Sequence, residues 1–266
     1  MTNGGRYDIQ SVSDQKRPQT QYKTTVNGWI VLFVFLTAIL ASFVQTTSGF
    51  AFALITMALW PAVLTIPDST HLLMFSSFLV ISIMTFRFRH RINFHLVIVP
   101  SMVAIAGNAA GVHLIGSAPE ALLIRILGAV LIVLAVSLMI AGNRFRVKPT
   151  VRNASIAGLV SGMMNGMFNI PGPPIVLYYS AATRTKEEYI ATTQFFFWIA
   201  LVQRMILVLL SSPLSTDVLI TFPFAITGSV IGMVLGFRVF RGLRQARVQQ
   251  AVYALMIISG AFYLTS

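Results

Sequence analysis

Residues 158–179 read GLVSGMMNGMFNIPGPPIVLYY. The stretch is apolar at both ends and interrupted by Asn165, Gly166, Asn169, Pro171, Gly172, Pro173 and Pro174. A proline inside a helix lacks the N–H its turn requires and crowds the preceding carbonyl. Three prolines in four residues therefore exclude one continuous helix. The chain is expected to unwind around Asn169–Pro171 and to restart a helix near Pro173, since proline suits the first helical turn. If the stretch lies in a bilayer, such unwound backbone survives only when buried in protein or lining a wet cavity.

Composition supplies the bilayer. Of 266 residues 56% are hydrophobic and 10% charged, with mean hydropathy +0.80, more apolar surface than a soluble domain of this length can bury. The absence of cysteine excludes disulfides and thiolate metal sites. Net charge is +12, but Lys and Arg fall in short clusters between apolar runs. That pattern reads as a topology signal and not as a nucleic-acid footprint. Residues 1–26 form a polar tail, expected to be disordered, without the apolar core of a signal peptide.

Apolar runs follow at 29–44 and 50–64, separated by Gln45-Thr46-Thr47-Ser48-Gly49, a polar pentad that reads as a second helix break. Together they exceed the roughly 20 residues of one span. Further spans are expected at 71–86, 96–115, 121–140, 154–168, 189–210, 218–237 and 248–264, with a short helix over 173–180. A shift of 123 residues lays Gly49 on Gly172, Leu54 on Leu177, Thr70 on Thr193 and Pro100 on Pro223. Two residues less lays Gly107 and Gly111 on Gly228 and Gly232. The chain thus reads as two repeats, 27–142 and 153–266, joined by a basic linker over 143–152. Each holds a broken helical hairpin followed by three transmembrane helices.

Charge sets their relative orientation. Linkers 87–95, 143–152, 184–188 and 238–247 carry thirteen of the nineteen Lys and Arg residues, whereas 67–70, 116–120 and 212–217 carry none. The positive-inside rule makes the first group cytoplasmic and the second external. Span 96–115 then runs outward and its partner 218–237 inward, so the repeats are inverted, a recurring plan of secondary transporters. The same count places the tail outside, against its own Arg6, Lys16, Arg17 and Lys23; four linkers outweigh one tail.

No Asp or Glu falls within the expected spans, which leaves no carboxylate for a proton relay or cation site. The polar residues there are Gln45, Thr46, Thr47, Ser48, Asn165, Asn169, Gln194, Gln203 and Arg204, with His71, His113 and Arg125 nearer the span ends. Hydrogen-bond donors and one cation suit an anion, and two half-helix N-termini at the breaks would add free N–H groups. Candidate substrate-binding residues are Gln45, Thr46, Thr47, Ser48, Gly49, Asn165, Asn169, Gly172, Gln194 and Arg204. Plainer readings stand beside these. Thr46, Thr47 and Ser48 also suit helix capping, Asn165 and Asn169 suit turns, and Arg204 suits snorkelling or carbonyl pairing. The Gly107/Gly111 and Gly228/Gly232 pairs have the spacing of close helix packing. With no carboxylate pair, Ser/His couple or metal cluster in the spans, an enzyme is disfavoured, and neither cofactor nor metal is expected.

At Gly49-Phe50-Ala51-Phe52-Ala53-Leu54 and Gly172-Pro173-Pro174-Ile175-Val176-Leu177-Tyr178 the chain resembles the TauE/SafE sulfite exporter family, also described as the TSUP group of membrane permeases. The similarity covers about residues 28–266. Where many members carry Gly-Gly-Gly in the first hairpin, this chain has Thr47-Ser48-Gly49-Phe50. The resemblance implies a multi-pass permease moving sulfite, a sulfonate or a related organosulfur anion across the bacterial cytoplasmic membrane. The residues alone reach an anion-preferring carrier working by alternating access, with an anion channel or a carrier of non-sulfur organic anions as alternatives. The expected partners are a small anion and the lipid bilayer, with no nucleic acid; self-association is left open.

Overall fold

In the computed structural model, residues 26–144, 148–211, 214–239 and 245–265 are described. The expected tail, apart from Val26, and parts of the linkers at 143–152, 212–217 and 238–247 lie outside them. Among the described residues the elements are helical: α1 (Gly28–Ser48), α2 (Phe52–Leu59), α3 (Ile66–Phe88), α4 (Phe94–Ser117), α5 (Glu120–Arg144), α6 (Val151–Phe168), α7 (Gly172–Ala182), α8 (Lys186–Ser211), α9 (Thr216–Val239) and α10 (Gln245–Thr265). Short 3-10 turns at Trp60–Ala62 and Arg89–Arg91 follow α2 and α3. Six helices, α1, α3, α4, α5, α8 and α9, are long and apolar enough to cross a membrane. The protein is an all-α polytopic membrane protein.

Polar side chains at the helix starts explain where several begin. Thr65 accepts the Asp68 N–H, Asn93 that of Leu96 and Thr150 that of Asn153, each satisfying a first-turn donor that has no partner within its helix. One of the two breaks differs from expectation in an informative way. The pentad at 45–49 is not itself the first break, because α1 runs through Ser48. The hydroxyls of Thr46, Thr47 and Ser48 donate four residues back to the carbonyls of Ser42, Phe43 and Val44, a bond that leaves the helix intact. The reversal comes just after, with Gly49 at φ 84° and Ala51 at φ 100°. The second break falls where the prolines place it: Asn169 at φ 56° ends α6, and α7 starts at Gly172 with proline in its first turn.

The tightest packing is backbone on backbone. α6 lies against α4 and α1 against α9. A Cβ added at Gly162 would sit 2.3 Å from the Ala104 carbonyl oxygen, and one at Gly232 2.1 Å from that of Ile39. Small residues at four-residue spacing thus let two pairs of helices touch through main chain, which is how helices gain dispersion contact where lipid offers no hydrophobic drive. The main partner list keeps its form when α1–α5 are exchanged for α6–α10. α3 meets α8, α5 meets α10, α3–α9 answers α8–α4, and α2–α10 answers α7–α5.

Each broken pair is a hairpin. Trp60 Nε1–H donates to Thr37 Oγ1 at 2.8 Å, so the end of α2 has returned alongside α1. Trp29 and Ile30 share a groove there with residues 61–65 and Glu120, and Glu120 Oε1 accepts the N–H of Ile66 at the start of α3. The second hairpin closes at the other end of α3. Just beyond that end, Asn93 Nδ2 donates to Glu188 Oε1 at 2.9 Å and the Asn93 N–H to Thr192, early in α8.

Two outcomes follow. Gly162→Leu and Gly232→Leu each force α6 from α4 or α1 from α9 and should cost at least about 1–3 kcal/mol, read as a lowered melting temperature in detergent. Gly172→Ala, whose Cβ would meet only Phe197 at 3.9 Å, should change stability little. Because the chain lacks cysteine, Arg89→Cys and Pro119→Cys can be labelled singly with an impermeant maleimide. Arg89→Cys should react from the cytoplasmic face and Pro119→Cys from the external face; reaction of both from one face contradicts the topology.

Candidate functional site

The two breaks meet. A cavity of about 30 Å³ is walled by Gln45, residues 50–54 and Asn165, by residues 169–172, and by Ser77, Ile81, Phe197 and Leu201 from α3 and α8. That is room for a water-sized group, and a sulfur oxyanion of four or five heavy atoms fits only if a wall gives way. Phe197 and Leu201, both nearly fully buried, close one side. No carboxylate or cation is in the lining.

What the wall offers is mainly unpaired donors. α2 begins so abruptly after Ala51 that the N–H groups of Ala53 and Leu54 have no acceptor among the described residues. The Phe52 N–H is taken by Gln45 Oε1 at 3.0 Å. Across the cavity, α7 presents less than its prolines suggested. Pro171, Pro173 and Pro174 have no N–H, and that of Ile175 donates to Ser161 Oγ at 3.1 Å, so Gly172 carries the one bare backbone donor of that turn. The expected pair of open helix N-termini is therefore asymmetric, because proline starts a helix by removing the donors an anion would use. The side chain of Asn169 lines the cavity, is 3% exposed, and has no hydrogen-bond partner among the described residues.

Gln45 and Gln194 lock the first break. Gln45 Nε2–H donates to Gln194 Oε1 at 3.3 Å, and Gln194 Nε2–H donates to the Gly49 carbonyl at 2.6 Å. Gln194 therefore sits behind the wall and acts through Gln45 and Gly49. Thr46 and Thr47 are buried and spend their hydroxyls within α1, Ser48 bonds both to the Val44 carbonyl and to the Phe50 backbone in the turn, and all three lie outside the lining.

The second break is locked by Arg204. Its guanidinium, 2% exposed, donates through Nη1 to the carbonyl oxygens of Asn165 and Gly166. Both are last-turn carbonyls of α6 at the negative end of its dipole; that of Gly166 is left over where the helix ends, while that of Asn165 also accepts the Asn169 N–H. Arg204 does not snorkel, and it lies outside the cavity lining.

Sequence reasoning missed two contributors. Asn108 on α4 is fully buried; its Oδ1 accepts from Asn165 Nδ2 and its Nδ2 donates to Gln203 Oε1. Its signal was present, a lone amide between Gly107 and Gly111 in an apolar span. Ser161 was legible only as one more small residue, and the free N–H groups expected where the first helix restarts are those of Ala53 and Leu54.

No curated protein and no solved structure matches the chain. A family model described as "Sulfite exporter TauE/SafE" matches residues 34–263, a span that takes in both breaks and the helices packed on them. With that match over most of its length, and six helices among the described residues long and apolar enough to cross a membrane, the chain belongs to the TauE/SafE sulfite exporter family, whose members are membrane transporters and not enzymes.

Proposed function

We propose that the protein is a secondary carrier that moves a small sulfur oxyanion or sulfonate across the bacterial cytoplasmic membrane by alternating access, using the cavity between the two breaks. The observation that carries this reading is the cavity wall: unpaired donors from Asn169, Gly172, Ala53 and Leu54, with no acid among them. Donors fixed in a site that excludes water bind negative charge with little reorganisation, and unsatisfied they are costly to bury.

On this reading the halves are inverted repeats. The exchange symmetry of the packing partners and the opposite ends at which the hairpins close support it, together with the clustering of basic residues in alternate linkers. Asn169, Gly172 and Gln45 contact substrate. Asn165 stands at the junction of cavity and lock, while Gln194 and Arg204 position the breaks. Thr46, Thr47, Ser48 and Gly49 shape the first break without touching the anion. Transport requires Phe197 and Leu201 to swing aside on one face as the opposite wall closes.

The test is counterflow in proteoliposomes. Vesicles preloaded with unlabelled sulfite or a sulfonate should accumulate the labelled anion transiently above equilibrium. Flux that never overshoots and does not saturate means a channel and contradicts a carrier. Asn169→Ala should weaken half-saturation about tenfold, the loss of one hydrogen bond to a charged partner, whereas Thr47→Ala should transport like the wild type. Equal effects of the two substitutions would move the site away from the cavity.

A further inference from the structure

Asn165 is 0% exposed and lines the cavity, yet its Oδ1 has no hydrogen-bond partner. An amide oxygen can be confused with its nitrogen, but here the surrounding bonds fix which is which. The chain of amides is anchored on backbone at one end, where Gln203 Nε2–H donates to the Ile105 carbonyl at 2.9 Å. Gln203 Oε1 must then accept from Asn108 Nδ2, at 3.1 Å. Asn108 Oδ1 in turn accepts from Asn165 Nδ2, at 3.2 Å, and the same nitrogen reaches the Ala200 carbonyl at 3.1 Å. Exchanging oxygen and nitrogen in Asn165 would set its oxygen against two other oxygens. The three amides therefore hold Asn165 Oδ1 as an acceptor where otherwise donors predominate.

Charge at the breaks points the same way. The ends of α1 and α6 and the starts of α2 and α7 contribute roughly −0.5 and +0.5 apiece and offset one another. What remains is the single charge of Arg204, one residue contact behind the wall through the Asn165 carbonyl.

We propose that the site selects a singly charged oxyanion that still carries one polar hydrogen, its oxygens facing Asn169, Gly172 and the α2 N–H groups and its hydrogen donated to Asn165 Oδ1. Among sulfur oxyanions this is the hydrogensulfite form in preference to the sulfite dianion. Asn165 is then the specificity-determining residue, and Asn108 and Gln203 are positioning residues that aim it. The proposal rests on the cavity being the substrate site. A site built to accept a hydrogen discriminates strongly against an analogue lacking one, because its own acceptor is left unpaired.

Two probes isolate the hydrogen from pH. Sulfamate and methanesulfonate are monoanions of similar shape, the first with an amino group on the sulfonate sulfur and the second with a methyl group in its place. Only sulfamate has a polar hydrogen beside the sulfonyl oxygens. With the full chain in detergent, sulfamate should bind about tenfold more tightly than methanesulfonate. Sulfate, a dianion with no polar hydrogen, should bind more weakly than either. In Asn165→Ala the sulfamate advantage should vanish, and because both ligands are measured on the same variant, general damage cancels in the ratio. If that variant does not fold, the wild-type ratio alone decides. Equal wild-type affinities, or sulfate bound most tightly, overturn the proposal and leave the carrier reading intact. Binding of all three anions unchanged by Asn169→Ala, or of none, removes the site on which both readings stand.

Discussion

A peptide group inside a membrane has no water to fall back on, and each one left unpaired there costs several kcal/mol. This chain breaks two helices in that setting, and much of its buried polar chemistry serves the consequence. The Gly49 carbonyl is met by Gln194, the Phe52 N–H by Gln45, the last carbonyls of α6 by Arg204, and the Ile175 N–H by Ser161. The bare N–H groups of Ala53, Leu54 and Gly172 and the Asn169 side chain are left over from this pairing and share one small cavity, whereas other unpartnered buried atoms, at Ser69, Thr85, Ser101, Tyr179, Thr193 and Arg204 Nε, are scattered outside it. Several unsatisfied donors sharing one cavity mark a place where a ligand would fit.

The same economy explains the glycines. α4 with α6 and α1 with α9 pack main chain to main chain, which makes each a stiff two-helix unit carrying one of the broken hairpins. Asn108 and Asn165 bridge the first of these units, and Ser42 donates to the Ser229 carbonyl across the second. A stiff unit on each side and a polar contact between its helices are what a rocking motion about a central site needs.

Much of this was legible in the residues themselves. Pro171, Pro173 and Pro174 fix the second break because proline chemistry is local, and the apolar runs locate the helices because hydropathy is additive along the chain, though α6 and α10, expected as spans at 154–168 and 248–264, are not among the six long and apolar enough to cross a membrane. The pentad at 45–49 misled as to where the helix ends, since hydroxyl-rich sequence reads as a break while the hydroxyls of Thr46, Thr47 and Ser48 bond back into α1; the turn itself is made by Gly49, with Ser48 bonded to Phe50 and Gln45 to Phe52. Arg204 showed itself as a charge in an apolar span, but its partners are carbonyls 38 and 39 residues away, and backbone carbonyls have no sequence signature. Free N–H groups at the restart of α2 were expected in kind, but that Ala53 and Leu54 carry them has no side-chain signature either. What a sequence conceals here is main chain, and main chain makes much of the site.

The central claim is that an anion sits between the two breaks. The most direct measurement is a crystal structure of the protein with selenite, whose selenium reports its own position by anomalous scattering. The account predicts a peak within hydrogen-bonding reach of Asn169 and the Gly172 N–H, on the side of the cavity facing Ala53 and Leu54. A peak only among the basic linkers, at Arg87–Arg91 or Arg184, would contradict it.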